Sequence, residues 1–162
     1  MSSVDRVIRG NEAWSRSFDR GDLRAPPRLR AAVVTCMDCR LDPLRALGLD
    51  LGDAHVIRNA GAVVTDDVLR SLVISHWELG TVEALVVGHT ACGMTAFTNE
   101  TLRRKLGSSG LDATLDFLPF RDVEENVRAG VGRILASPLL PAPYAAHGFV
   151  YDVATGGLTP LA

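Results

Sequence analysis

The residues able to do chemistry crowd into two short stretches of this chain. The first, VVTCMDCRLDP at 33–43, sets Cys36 and Cys39 three positions apart, with Asp38 between them and Arg40 just after. The second, GHTACGM at 88–94, carries His89 and Cys92. Two thiolates and an imidazole form a donor set that zinc favours. The first stretch admits three readings: a redox Cys36–Cys39 pair, half of a structural metal site, or half of a catalytic one. A redox pair leaves His89 and Cys92 without a role. Cys36, Cys39, His89 and Cys92 together would make a closed Cys3His site, which is structural. If Cys36, His89 and Cys92 bind alone, the fourth position falls to water or to Asp38, and the site can open for catalysis. Asp38 and Arg40 favour this last reading. A carboxylate two residues past a ligand can reach the metal or its water, and an arginine can clamp that carboxylate bidentately and hold it ionised. The plainer alternatives are a surface ion pair for Asp38 and Arg40 and small buried apolar side chains for the cysteines.

Donors so distant in sequence need elements that bring them together. RAAVVTC at 30–36 is a short apolar, β-branched run suited to a buried parallel strand, and AHVIRNAG at 54–61 and VEALVVGHT at 82–90 read the same way. TDDVLRSLVISHWELG at 65–80 is predicted to be a helix, with Thr65 as cap, Asp66 and Asp67 at its positive end and Gly80 as its stop. RDVEENVRAGVGRILASP at 121–138 is a second, with Asp122 and Glu125 spaced as a capping box and Pro138 just beyond its end. GFVYDVATGGLTPL at 148–161 reads as two strands turning at Thr155-Gly156-Gly157. The alternation predicts an α/β fold: a mostly parallel central sheet flanked by helices on both faces, with an antiparallel C-terminal edge. In such a sheet the C-terminal strand ends share one rim, where function gathers, and Cys36 and His89 both stand at strand ends. Cys92 is expected near the start of a following helix, whose dipole would favour the thiolate.

RAPPRLR at 24–30 separates this body from an N-terminal helical arm at roughly 3–20. The arm carries Val4, Val7, Ile8, Trp14 and Phe18 with no core of its own, so it is expected to pack on a partner subunit. The chain is read as one domain over residues 1–162, the arm being 1–24. Its formal net charge of −2 argues against an electrostatic grip on nucleic acid or anionic lipid. The Arg103-Arg104-Lys105 cluster and Arg28/Arg30 read as solvated faces. No apolar run reaches the length of a membrane span, and the charged N-terminus lacks a secretory apolar region. Three cysteines cannot close a disulfide framework within one chain, so a reducing, cytoplasmic setting is expected.

CMDCR, RNAG and HTACGM, in this order and at these separations, resemble the beta-class carbonic anhydrases, in particular their short bacterial members. The likeness runs in motif detail from about residue 30 to 95 and more loosely through the helix at 121–136 and the terminal hairpin. It implies reversible hydration of carbon dioxide to bicarbonate and a proton by zinc-bound hydroxide, with one zinc per subunit. Cys36, His89 and Cys92 match the family's zinc ligands, and Asp38 and Arg40 its catalytic dyad. In the family the aspartate also serves as a fourth ligand in a closed state, released when it pairs with the arginine. Gly93 matches a position whose backbone amide borders the substrate, and Asn59, Ala60 and Gly61 a segment at the pocket edge. The resemblance implies a homodimer or a multiple of dimers, with the N-terminal helix wrapped on its neighbour. Relatives of the same scaffold hydrolyse carbonyl sulfide or carbon disulfide, which is one alternative; a non-catalytic protein with a Cys3His zinc site is the other. Two departures stand out. Cys39 replaces the usual Ser or Ala and is expected to face away from the metal, and Ala91 replaces a commonly polar residue. His55, His76 and His147 are expected to be structural rather than proton shuttles.

Overall fold

The computed structural model describes residues 1–162. After helix α1 (Ser3–Arg16), the chain runs β1 (Ala31–Cys36), α2 (Pro43–Ala46), β2 (Ala54–Asn59), α3 (Asp66–Trp77), β3 (Glu83–His89), α4 (Asn99–Gly107), α5 (Val123–Leu135), β4 (Ala145–Tyr151) and β5 (Leu158–Leu161). The strands form one sheet in the order β2-β1-β3-β4-β5. The first four are parallel, and β5 closes the edge antiparallel to β4, as the alternation and the glycine turn imply.

Every residue of the interior strand β1 is buried, the pattern of a strand covered on both faces. On one face α3 and α5 pack Val68, Leu72, Val127 and Ile134 against Ala32, Val34, Ala84 and Val86. On the other, Val33, Thr35 and Val87 lie beneath Leu41, Pro43, Ala46 and Leu47, so this cover is the short helix α2 and its flanks. Gly88 lets α5 approach closely: a Cβ there would stand 2.7 Å from Val127 and 2.8 Å from Val123. Thr65 caps α3 by accepting from the Val68 N–H, and Asp122 caps α5 by accepting from Glu125 N–H at 2.9 Å.

The elements depart from the sequence expectation where propensity and packing disagree. The first helix ends at Arg16 rather than near residue 20, with Ser17 as its C-cap, and Trp14 in its last turn pairs with Phe18 just beyond it at 5.8 Å between centroids. No residue of α1 is buried. Helix α3 stops at Trp77, because the chain turns at Gly80 (φ +75°) while the Gly80 and Thr81 N–H groups return to the His76 and Ser75 carbonyls. Helix α4 is foreshadowed only by the helix expected to follow Cys92, to which the sequence pattern gives no bounds; Arg103-Arg104-Lys105 reads there as a solvated face. It buries no residue and so lacks the apolar stripe that announces a helix. Thr98 and Thr101 cap it reciprocally, while Asn99 and Arg103 hold the following extended segment at Asp116 and the Leu115 carbonyl.

Candidate metal centre

Parallel pairing sets the site. Cys36 ends β1 opposite Asn59 at the end of β2, and Thr35 sits level with Val87 on β3, so His89 projects from the same rim. The turn after β3 brings Cys92 back beneath it. The ligand atoms of Cys36, His89 and Cys92 all lie within 4.8 Å of one another, and all three residues are buried. His89 Nδ1 lies 2.9 Å from the Thr90 carbonyl, which can only accept, so Nδ1 carries the proton and Nε2 presents a lone pair. That Nε2 is buried and has no hydrogen-bond partner within the protein. An orphaned imidazole nitrogen facing two buried sulfurs fits a soft or borderline divalent cation such as zinc. A backbone carbonyl behind the ligating histidine is the support such ligands use.

Cys92 does not open a helix, contrary to the sequence expectation. It is succeeded only by a three-residue 3-10 turn, Gly93–Thr95, and α4 begins at Asn99. A turn that short has too few aligned peptides to act as a helix dipole. Burial instead pushes the Cys92 thiol up, the Met94 N–H opposes this, and Cys36 adds to the rise. A bound cation offsets such a cost, since coordination deprotonates a thiol.

Arg40 grips Asp38 with Nε on Oδ1 at 2.9 Å and Nη2 on Oδ2 at 2.7 Å, and its own backbone N–H adds a bond to Oδ1 at 2.9 Å. The guanidinium first, then that backbone N–H, holds the Asp38 carboxyl well below the usual carboxylate range, against the opposing effect of desolvation. Asp38 Oδ2 stands 3.8 Å from His89 Nε2, too far for a hydrogen bond yet overlooking the donor cluster. Arg40 Nη2 also donates to the Ala91 carbonyl at 3.0 Å, which ties the dyad to the His89–Cys92 turn. Ala91 is in the left-handed region (φ +51°), a strained conformation for a non-glycine residue that aims this carbonyl at Arg40.

Asn59, Ala60 and Gly61 lie against the Cys36 side of the cluster. Gly61 N–H donates to Cys36 Sγ at 3.3 Å, Ala60 packs on the cysteines, and Asn59 Nδ2 donates to the Val63 carbonyl. Gly93 opens the exposed turn after Cys92. Sequence reasoning passes over several neighbours. Met94, Phe97, Phe120 and Val123 form an apolar wall around the cysteines. Arg58 donates to the Cys36 carbonyl at 2.9 Å and the Asp38 carbonyl at 2.7 Å, bracing the loop that carries the dyad. The RNAG motif contains Arg58 and could have pointed to it, but nothing local in the sequence places Phe120 at this rim.

Cys39 stands outside the donor cluster and is exposed, so the Cys3His closure is not assembled, and all three cysteines are free thiols. The other histidines sit away from the metal-facing rim. His55, near the start of β2, contacts the Ser75 hydroxyl and the Ala25 carbonyl; His76 contacts the Thr81 carbonyl; His147 lies 3.7 Å from Glu83. No helix is long and apolar enough to cross a membrane.

Residues 31–117, more than half the chain, match the protein family described as carbonic anhydrase. Beta-carbonic anhydrase 1 of Mycobacterium tuberculosis is 43% identical over 162 residues, covering 99% of each chain. A crystal structure of carbonic anhydrase from Streptococcus mutans superposes with a TM-score of 0.96 at 46% identity, covering 100% of this chain and 99% of that one. A carbon disulfide hydrolase of Acidithiobacillus thiooxidans is 33% identical, covering 97% of this chain and 88% of its own. With the strand-end donor cluster and the two-sided sheet already in view, these likenesses make the conclusion direct: the chain belongs to the beta-class carbonic anhydrase family.

Proposed function

We propose that the protein hydrates carbon dioxide reversibly to bicarbonate and a proton, with one zinc ion held by Cys36, His89 and Cys92. The observation that carries this reading is a single juxtaposition. Three buried soft donors, one of them an unpartnered imidazole nitrogen, lie beside a carboxylate gripped twice by Arg40 and 3.8 Å from that nitrogen. Zinc in such a set supplies Lewis acidity, which makes water a nucleophile near neutral pH.

The residues of the chain supply the rest. Asp38, kept ionised by Arg40, accepts a hydrogen bond from the attacking water and orients its free lone pair toward carbon dioxide. Arg40 keeps Asp38 from closing onto the ligand set. Met94, Phe97 and Phe120 present an apolar wall, suited to a small apolar gas and poor at holding water. Gly93, with Asn59, Ala60 and Gly61, borders the substrate. Asp38→Asn tests the assignment: hydration falls about 100-fold or more while zinc stays at one per chain. Unchanged activity at full zinc content refutes the dyad.

Similarity to a carbon disulfide hydrolase favours a second substrate, carbon disulfide or carbonyl sulfide, at the same centre. Assaying purified zinc protein with each gas separates the readings; the donor set and dyad are common to both, and carbon dioxide is expected to be turned over fastest. The chain acts as one unit over 1–162, and its arm covers a second copy. Supporting this, α1 leaves Val4, Val7, Ile8 and Trp14 at 53–70% exposure with none of its residues buried. The same reading places the protein in the cytoplasm.

A further inference from the structure

Gly61 links a distant helix to the ligand set through hydrogen bonds. Its N–H donates to Cys36 Sγ at 3.3 Å, and its carbonyl accepts from Asn126 Nδ2 on α5 at 3.0 Å. The carbonyl can only accept, so the orientation of the Asn126 amide is settled by its partner. Gly61 is buried and left-handed (φ +82°), and a Cβ on it would stand 2.6 Å from Phe120 and 2.9 Å from Met94. The residue is therefore clamped on its side-chain face by packing and on its carbonyl by one amide. Asn126 precedes Val127, which is fully buried against the sheet, so the docking of α5 sets where that amide reaches.

We propose that Asn126 is a positioning residue of the metal centre: it holds residue 61 so that the Gly61 N–H stays on the Cys36 sulfur and draws charge from that thiolate. This rests on the reading that Cys36, His89 and Cys92 hold a divalent ion. A thiolate passes negative charge to the ion it binds and so blunts the ion's pull on a further ligand. A backbone N–H aimed at the sulfur opposes that transfer, because hydrogen bonds to an ionised acceptor are the stronger kind. Groups behind the ligands tune a metal in this manner. The link also explains why α5, remote in sequence from both motifs, has a polar side chain where it meets the rim.

The test uses the full chain loaded with cobalt(II), whose thiolate-to-metal charge-transfer band reports sulfur donation, alongside carbon dioxide hydration by the zinc protein. Asn126→Asp keeps the shape but replaces the donor with an acceptor; Asn126→Ser, too short to reach the Gly61 carbonyl, serves where the aspartate variant does not fold. The expected result is a band moved to longer wavelength and a kcat about 10-fold lower, with KM, metal stoichiometry and far-ultraviolet dichroism unchanged. A band at the wild-type position overturns the proposal, whether or not activity falls, since lost activity alone would be a fold effect. Wild-type protein that shows no thiolate band with cobalt is a different failure, that of the ligand assignment itself.

Discussion

Asp38 and Cys39 are neighbours with opposite fates. The Asp38 carboxylate turns to the rim and takes three hydrogen bonds from Arg40, while Cys39 points into solvent. A bidentate guanidinium clamp has a fixed geometry that a lysine would not reproduce, so the clamp fixes direction as well as charge. Cys39 shares no such constraint. Cys39→Ser is therefore expected to match the wild-type protein in metal content and hydration rate, measured by metal analysis and stopped flow. Loss of metal in that variant would instead support the closed four-ligand reading. His89 shows the same logic in reverse: the proton pinned on Nδ1 by the Thr90 carbonyl commits Nε2 to the cluster.

At the scale of elements, α5 does two jobs, covering one sheet face with Val127 and Ile134 and presenting Asn126 to Gly61. Its start depends on Asp122, which satisfies the Glu125 N–H. The spacing Asp122-x-x-Glu125 predicts a full capping box, but only the Asp122 half of it forms. Asp122→Ala is expected to lower stability by about 1 kcal/mol, read from urea unfolding; a change near zero would show that packing alone holds the helix end. Turns depend on carboxylates in the same way. Asp53 is held below its usual value by the Asp50 N–H and Arg28, Asp116 by the Leu118 N–H and Asn99, and Asp152 by the Ala154 N–H. Each therefore adds stability that is complete above the unfolded value near 3.8 and is lost as pH falls through its lower folded value. The urea midpoint should fall as pH drops below about 4, and it should fall less steeply in Asp116→Asn. A midpoint that rises with acid would contradict the assignment.

For the whole molecule, the imbalance of cover is the main physical fact. The body encloses a core between the sheet and its helices, yet α1 and the residues after it leave Trp14 60% and Phe18 43% exposed. An apolar arm of this kind is stable when another surface covers it. If the arm covers a second copy, deleting residues 1–22 weakens that association, read as a lower sedimentation coefficient, while the body stays folded. A truncated chain that remains a tight dimer would exclude the wrapped arm.

Donor identity, the mostly parallel sheet with its antiparallel C-terminal edge and most element boundaries were legible in the chain itself, because they follow from local chemistry, whereas the order of the strands came only from the structure. Thiolate and imidazole choose their metal, β-branched runs choose strands, and Thr65 and Asp122 choose helix starts. The approach of Cys36 to His89 could be inferred because parallel strands end on one rim. Three more things were decided only by tertiary structure. The polar helix α4 has no apolar period to announce it. The left-handed turn at Ala91 is imposed by the ligands on either side of it and by Arg40. Phe120 and Asn126 reach Gly61 from about sixty residues away, a meeting fixed by how α5 docks on the sheet rather than by any pattern of neighbouring residues. Local preference acts over a few residues; the walls and supports of this site are set by contacts that exist only once the sheet has formed.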